Sequence, residues 1–138
     1  MLQQNTPKDY VIATGRSETV RKFIEISAIK LGWDSKTKGT GIIWEGEGIN
    51  EIGKRADNCE IVVRIDQRYF RPTEVEELLG DSTKANLELG WEPKITLEDL
   101  VSEMIKNDLE ESKKELILKN KGYSQSSPIE TIPNIMGN

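Results

Sequence analysis

The chain has 138 residues, 36% hydrophobic and 31% charged, and its 24 acidic against 19 basic side chains leave a net charge of −5, the balance of one soluble domain or of a piece of a larger one. With no histidine it can build no Ser-His-Asp or Cys-His nucleophile and no His-ligated zinc, and the single Cys59 excludes an intrachain disulfide, as suits a reducing, cytoplasmic setting. The acidic balance lacks the basic stripe of a nucleic-acid surface, no apolar run approaches the roughly 18 residues of a membrane span, and the first residues lack the basic-then-apolar pattern of a signal peptide.

Tyr10-Val-Ile-Ala-Thr14 is a short β-branched run ended by Gly15, the composition of a strand buried on both faces of a parallel sheet. Ser17 is placed to cap a helix in which Val20, Phe23, Ile24, Ser27 or Ala28, and Leu31 recur on one face, with Glu18 suiting its dipole and Gly32 its stop. Residues 34–41 are polar with two glycines and read as a loop. Ile42-Ile43-Trp44 is a second strand candidate, and Glu60-Ile-Val-Val-Arg-Ile65 is the strongest strand pattern in the chain. Asp81 or Ser82 caps a short helix through Leu89, with Gly90 at its end and Pro93 beyond. The last helix starts at Thr96, with Asp99 completing a capping box and an apolar stripe of Leu97, Leu100, Val101, Met104 and Ile105. From Asp108 onward charge dominates, with i,i+4 pairs such as Glu110–Lys114 and Glu115–Lys119 on a helix projecting into solvent. After Tyr123 the composition turns to that of a frayed tail.

Few residues stand out chemically. Gly46, Gly48 and Gly53 miss the dinucleotide-loop spacing and no helix pattern follows them, so they read as turn glycines. None of Tyr10, Tyr69 and Tyr123 has a lysine four residues on, so there is no Tyr-x-x-x-Lys pair. Trp33, Trp44 and Trp91 read as core or turn anchors, Cys59 as an inert thiol, and the acids between Glu98 and Glu115 as a solvated helix face. The exception is Arg68-Tyr-Phe-Arg-Pro-Thr-Glu-Val-Glu76, dense in aromatics and charges directly after a strand. The Arg71 fork suits phosphate oxygens, and Glu74 can accept from hydroxyls, as a nucleoside diphosphate requires. A structural Arg–Glu pair steadying the turn explains the same residues equally well.

Further runs lie in a telling order: Tyr10-Val-Ile-Ala-Thr-Gly15, Thr19-Val-Arg-Lys-Phe23, Trp44-Glu-Gly-Glu-Gly48, Tyr69-Phe-Arg-Pro-Thr-Glu-Val75, Leu78-Leu-Gly-Asp81, Thr83-Lys-Ala85 and Leu89-Gly-Trp91. Over residues 1 to 123 the chain resembles the C-terminal part of the GDP-mannose 4,6-dehydratase family, within the extended short-chain dehydrogenases. The resemblance implies an α/β fold, in which this chain is the substrate-binding part, with mixed helices and short strands and most of the Rossmann portion lying outside it. Residues 1–122 would be the nucleotide-sugar-binding portion and 123–138 a flexible tail.

The same resemblance implies conversion of GDP-mannose to GDP-4-keto-6-deoxymannose with NADP, held mainly by an N-terminal Rossmann portion on the same or another chain, in a homo-oligomer. It places Arg71 on the diphosphate and Glu74 on the ribose hydroxyls, and it assigns no catalytic, cofactor-binding or metal residue here. Met1-Leu-Gln-Gln resembles the end of a helix internal to family members, so the isolated chain is expected to be marginally stable and inactive. Two other readings stay open: a GDP-sugar-binding module without chemistry, and an interaction protein using the charged helix from residue 98.

Overall fold

The computed structural model describes residues 4–34, 39–71 and 78–123. The chain divides into two units, Met1–Ile105 and Lys106–Asn138. The first holds helix α1 (Val20–Lys30), strands β1 (Ile42–Glu45), β2 (Ile52–Arg55) and β3 (Ile61–Arg64), helix α2 (Thr83–Leu89) and the start of helix α3 (Leu97–Asn120). The second continues α3. No helix among the described residues is long and apolar enough to cross a membrane.

Each helix ends by the same device. Gly32, Gly90 and Gly122 take left-handed conformations, and each is followed by an aromatic residue. At the end of α1 the Gly32 and Trp33 amides donate to the carbonyls of Ile29 and Ala28, and at the end of α3 those of Gly122 and Tyr123 donate to Lys119 and Leu118. These are Schellman closures, which satisfy carbonyls the helix leaves without a partner. After α2, Gly90 and Trp91 donate to Asn86 and Ala85.

The helix starts are also set by side chains. Thr96 Oγ1 accepts from the Asp99 amide at 3.1 Å, while Asp99 Oδ2 accepts from the Thr96 amide and hydroxyl at 3.2 and 2.7 Å, a complete capping box. Asp81 accepts from the amide and hydroxyl of Thr83 ahead of α2. The cap of α1 is Thr19, not Ser17: its hydroxyl accepts from the Lys22 amide at 3.1 Å, and Glu18 lies outside the helix, bonded to Lys22 Nζ at 2.7 Å. On α3, Lys114 bonds Glu111 at 2.6 Å rather than the expected Glu110.

The sheet is antiparallel throughout, in the order β1-β2-β3. β2 carries no strand pattern in sequence, because Ile52-Gly-Lys-Arg55 pairs a glycine with two cations. Its Gly53 is buried opposite Trp44, and a Cβ there would come within 3.0 Å of both the Trp44 ring and Val63. Glycine is thus needed for packing and not for a turn. The β2–β3 register slips between Gly53 and Lys54, a local irregularity that shortens the ladder.

Residues 10–14 are not a strand. No strand among the described residues lies beside them to complete a ladder, and the segment is fastened to α2 by side chains instead. Lys8 Nζ and the Tyr10 hydroxyl donate to Glu88 at 2.9 and 2.8 Å, and Lys84 Nζ donates to the Asp9 carbonyl at 2.8 Å. Ala13 fills the space where Gly80 would carry a Cβ.

Among the described residues the buried apolar side chains are Ala28, Ile42, Ala85 and Val101, a small set. Large apolar side chains stay exposed, among them Val11, Ile12, Val20, Leu79 and Leu87, with Leu78 reaching 83%. Val101 is fully buried. Val101→Ala is expected to cost about 2 kcal/mol in chemical denaturation, the transfer energy of its methyls plus a small cavity. The Thr96 hydroxyl and amide hold the Asp99 carboxyl below its ordinary value, with a further contribution from the Lys30 charge. A depressed folded value means that the contribution is complete above the unfolded carboxyl value and lost as pH falls through the folded one. The melting-temperature gap between wild type and Asp99→Asn should therefore be widest near neutral pH and close as pH drops below about 4.

Candidate functional site

The loop leaving β3 is built by one carboxylate. Asp66 Oδ1 accepts the Arg68 amide at 2.9 Å, an Asx-type turn. The Arg68 guanidinium folds back on the same carboxylate, with Nη2–Oδ2 at 2.7 Å and Nε at 3.1–3.2 Å from both oxygens. The Tyr69 amide donates to the Asp66 carbonyl at 3.0 Å, closing a four-residue turn. Arg68 also stands over the Tyr69 ring at 5.3 Å. The Asp66 carboxyl lies below its usual range, chiefly because of the Arg68 guanidinium and then its backbone N–H.

Arg71 follows this turn. It is exposed, and no hydrogen bond or ion pair joins it to another described residue. Arg68, by contrast, is committed to Asp66, so the two arginines of the motif have different employment. Glu74 lies outside the described residues, and its placement relative to Arg71 is an expectation from sequence only. The sequence signal for the Asp66–Arg68 clamp is an Asp two residues before an Arg at a strand exit.

The sheet that carries this loop is fixed to α1 by mixed polar and aromatic contacts. Arg21 of α1 pairs with Glu51 and stands over the Trp44 ring at 4.3 Å, while Trp44 Nε1 donates to Glu25 at 2.9 Å. Arg55 forks onto Asp57 at 2.6 and 2.9 Å and covers Trp33 at 4.5 Å. Trp33 and Trp44 are thus anchors between elements. Cys59 is an exposed residue of the β2–β3 turn, at a φ of 62°. An open cleft of about 640 Å³ lies between the start of α1 and the start of α3, lined by Thr14, Arg16, Lys22, Lys94 and Glu98 among others, and no residue of the 66–71 turn lines it.

A family profile described as GDP-mannose 4,6 dehydratase matches residues 1–104, a span that contains the Asp66 turn and the Arg71 motif. The chain belongs to the GDP-mannose 4,6-dehydratase family. It is 43% identical over 141 residues to the GDP-mannose 4,6-dehydratase of Yersinia enterocolitica, which covers 95% of this chain and 36% of that protein. The Vibrio cholerae El Tor protein of the same name is 44% identical, over 94% of this chain and 36% of its own length. Human GDP-mannose 4,6 dehydratase is 44% identical over 80% of this chain and 28% of its own. The chain therefore spans little more than a third of the bacterial dehydratases it matches.

Among the described residues, Gly46, Gly48 and Gly53 do not form the loop that the NADP implied by the family resemblance would need. A dinucleotide pyrophosphate sits on glycines that turn from a strand into a helix N-terminus. Here Gly46 and Gly48 belong to the connection between β1 and β2, which holds only a single 3-10 turn (Gly48–Asn50), and Gly53 is a buried strand residue.

A side chain that no other described residue engages can be removed with little loss of stability. Arg71→Ala should leave the melting transition within about 0.5 kcal/mol of wild type. Arg55→Ala should lower it measurably, since that guanidinium joins Asp57 to Trp33.

Proposed function

We propose that this chain is the GDP-sugar-binding portion of a cytoplasmic GDP-mannose 4,6-dehydratase. Arg71 takes the diphosphate and Glu74 the ribose hydroxyls. The observation that carries the reading is the contrast between two neighbouring arginines inside the family-matched span: Arg68 is held by Asp66, whereas Arg71 is exposed and unengaged among the described residues. A planar fork of donors that no other described residue engages is what a diphosphate needs.

Chemistry requires more than these residues. The sequence holds no Tyr-x-x-x-Lys pair and no dinucleotide glycine loop. The NADP-dependent lyase reaction therefore draws its cofactor site and proton-transfer groups from a Rossmann portion outside these 138 residues. The exposed apolar residues Val20, Leu78, Leu79 and Leu87 support this assembly, because a face of that composition is normally covered in a complete fold. The complete enzyme is read as a homo-oligomer.

Two measurements test the proposal. Calorimetry with GDP should detect binding to the 138-residue chain, weakened at least about tenfold by Arg71→Ala, as expected for loss of a charge-assisted fork. The same chain supplied with NADP and GDP-mannose should give no keto-sugar product. Unchanged GDP affinity in Arg71→Ala would remove the assignment of that residue, and turnover by the chain alone would contradict the division of labour.

A further inference from the structure

The turn that precedes Arg71 is braced more heavily than an exposed loop needs. Asp66 receives one backbone N–H and two guanidinium nitrogens from Arg68, and its own carbonyl receives the Tyr69 amide. Four donors from two successive residues thus converge on one aspartate just after β3. Such bracing contributes little to stability, because the Asp66 and Arg68 side chains are one-third and more than half exposed. Its effect is to remove freedom from the backbone between β3 and Arg71, only three residues beyond Arg68.

We propose that Asp66 is a positioning residue for the nucleotide diphosphate. It acts through Arg68, fixing the path by which residues 69–71 leave the sheet and so the place from which Arg71 reaches the phosphates. The inference rests on the nucleotide reading of Arg71 and deepens it. It also explains the division between the two arginines. Asp66 keeps Arg68 out of competition for the ligand, so one fork of defined position serves the diphosphate in place of two mobile cations. A preordered donor loses less freedom when it binds than a free one does.

Charge and position make opposite predictions for the same substitution. Asp66 is a carboxylate close to a site for a polyanion, so on charge alone Asp66→Ala should tighten GDP binding by removing repulsion. If Asp66 positions Arg71, the same change should weaken binding.

The experiment is GDP titration calorimetry on the 138-residue chain, with wild type, Asp66→Ala, Arg71→Ala and the double variant. The expected result is binding about tenfold weaker in Asp66→Ala, but a change of less than about twofold when Asp66→Ala is added to Arg71→Ala, since the two act as one unit. Arg68→Ala, which removes the brace from the other side, should also weaken binding only while Arg71 is present. Tighter binding in Asp66→Ala, or equal weakening in both backgrounds, overturns the proposal. If wild type does not bind GDP, the nucleotide reading of Arg71 fails by itself. The brace is then judged by NMR on the free chain, where Arg68 amide and Nε resonances that are unmoved by Asp66→Ala would overturn it independently.

Discussion

Helix α1 and the sheet approach one another more closely than ordinary side chains allow, and the rest of the first unit follows from that contact. A Cβ at Gly41 would lie 2.9 Å from the Cβ of Ala28, so a small residue faces a glycine where the chain enters β1. Arg21, Glu25, Glu51 and Trp44 lock the same junction from its edge. With β1 placed, Trp44 sits over Gly53 and sets the β1–β2 register, β2 carries β3, and β3 delivers Asp66 to its turn. The position of Arg71 is therefore the last link of a chain of packing constraints that begins at the helix.

Few of these contacts are deep. Among the described residues the buried apolar set is small, and the ion pairs lie at or near the surface, where they orient groups more than they stabilise them. That agrees with a segment spanning little more than a third of its bacterial relatives, whose exposed leucines and valines are read as meeting the remainder of the fold.

The features legible in sequence are those decided by local chemistry. Gly32 and Gly90 mark two helix ends, and Thr96 with Asp99 marks a start, because capping depends on residues a few positions apart. The cap of α1 was displaced by two residues because Ser17 and Thr19 offer the same hydroxyl, and only the helix phase distinguishes them. The run at 10–14 has strand composition, yet whether it pairs depends on a neighbour that its own residues do not encode. β2 was invisible for the complementary reason: Gly53 is required by Trp44, which lies opposite it on β1. At the site, Arg71 stands out in its motif as a candidate, whereas the engagement of Arg68 by Asp66 is visible only in the folded turn.

The most direct test of the central claim, that a guanosine diphosphate group meets the chain at the exit of β3, is an NMR titration of the isotopically labelled 138-residue chain with GDP. Saturable shifts are expected to concentrate in residues 66–71, with little change around the cleft lined by Arg16, Lys22 and Lys94. Shifts confined to that cleft, with the 66–71 amides unmoved, would contradict it.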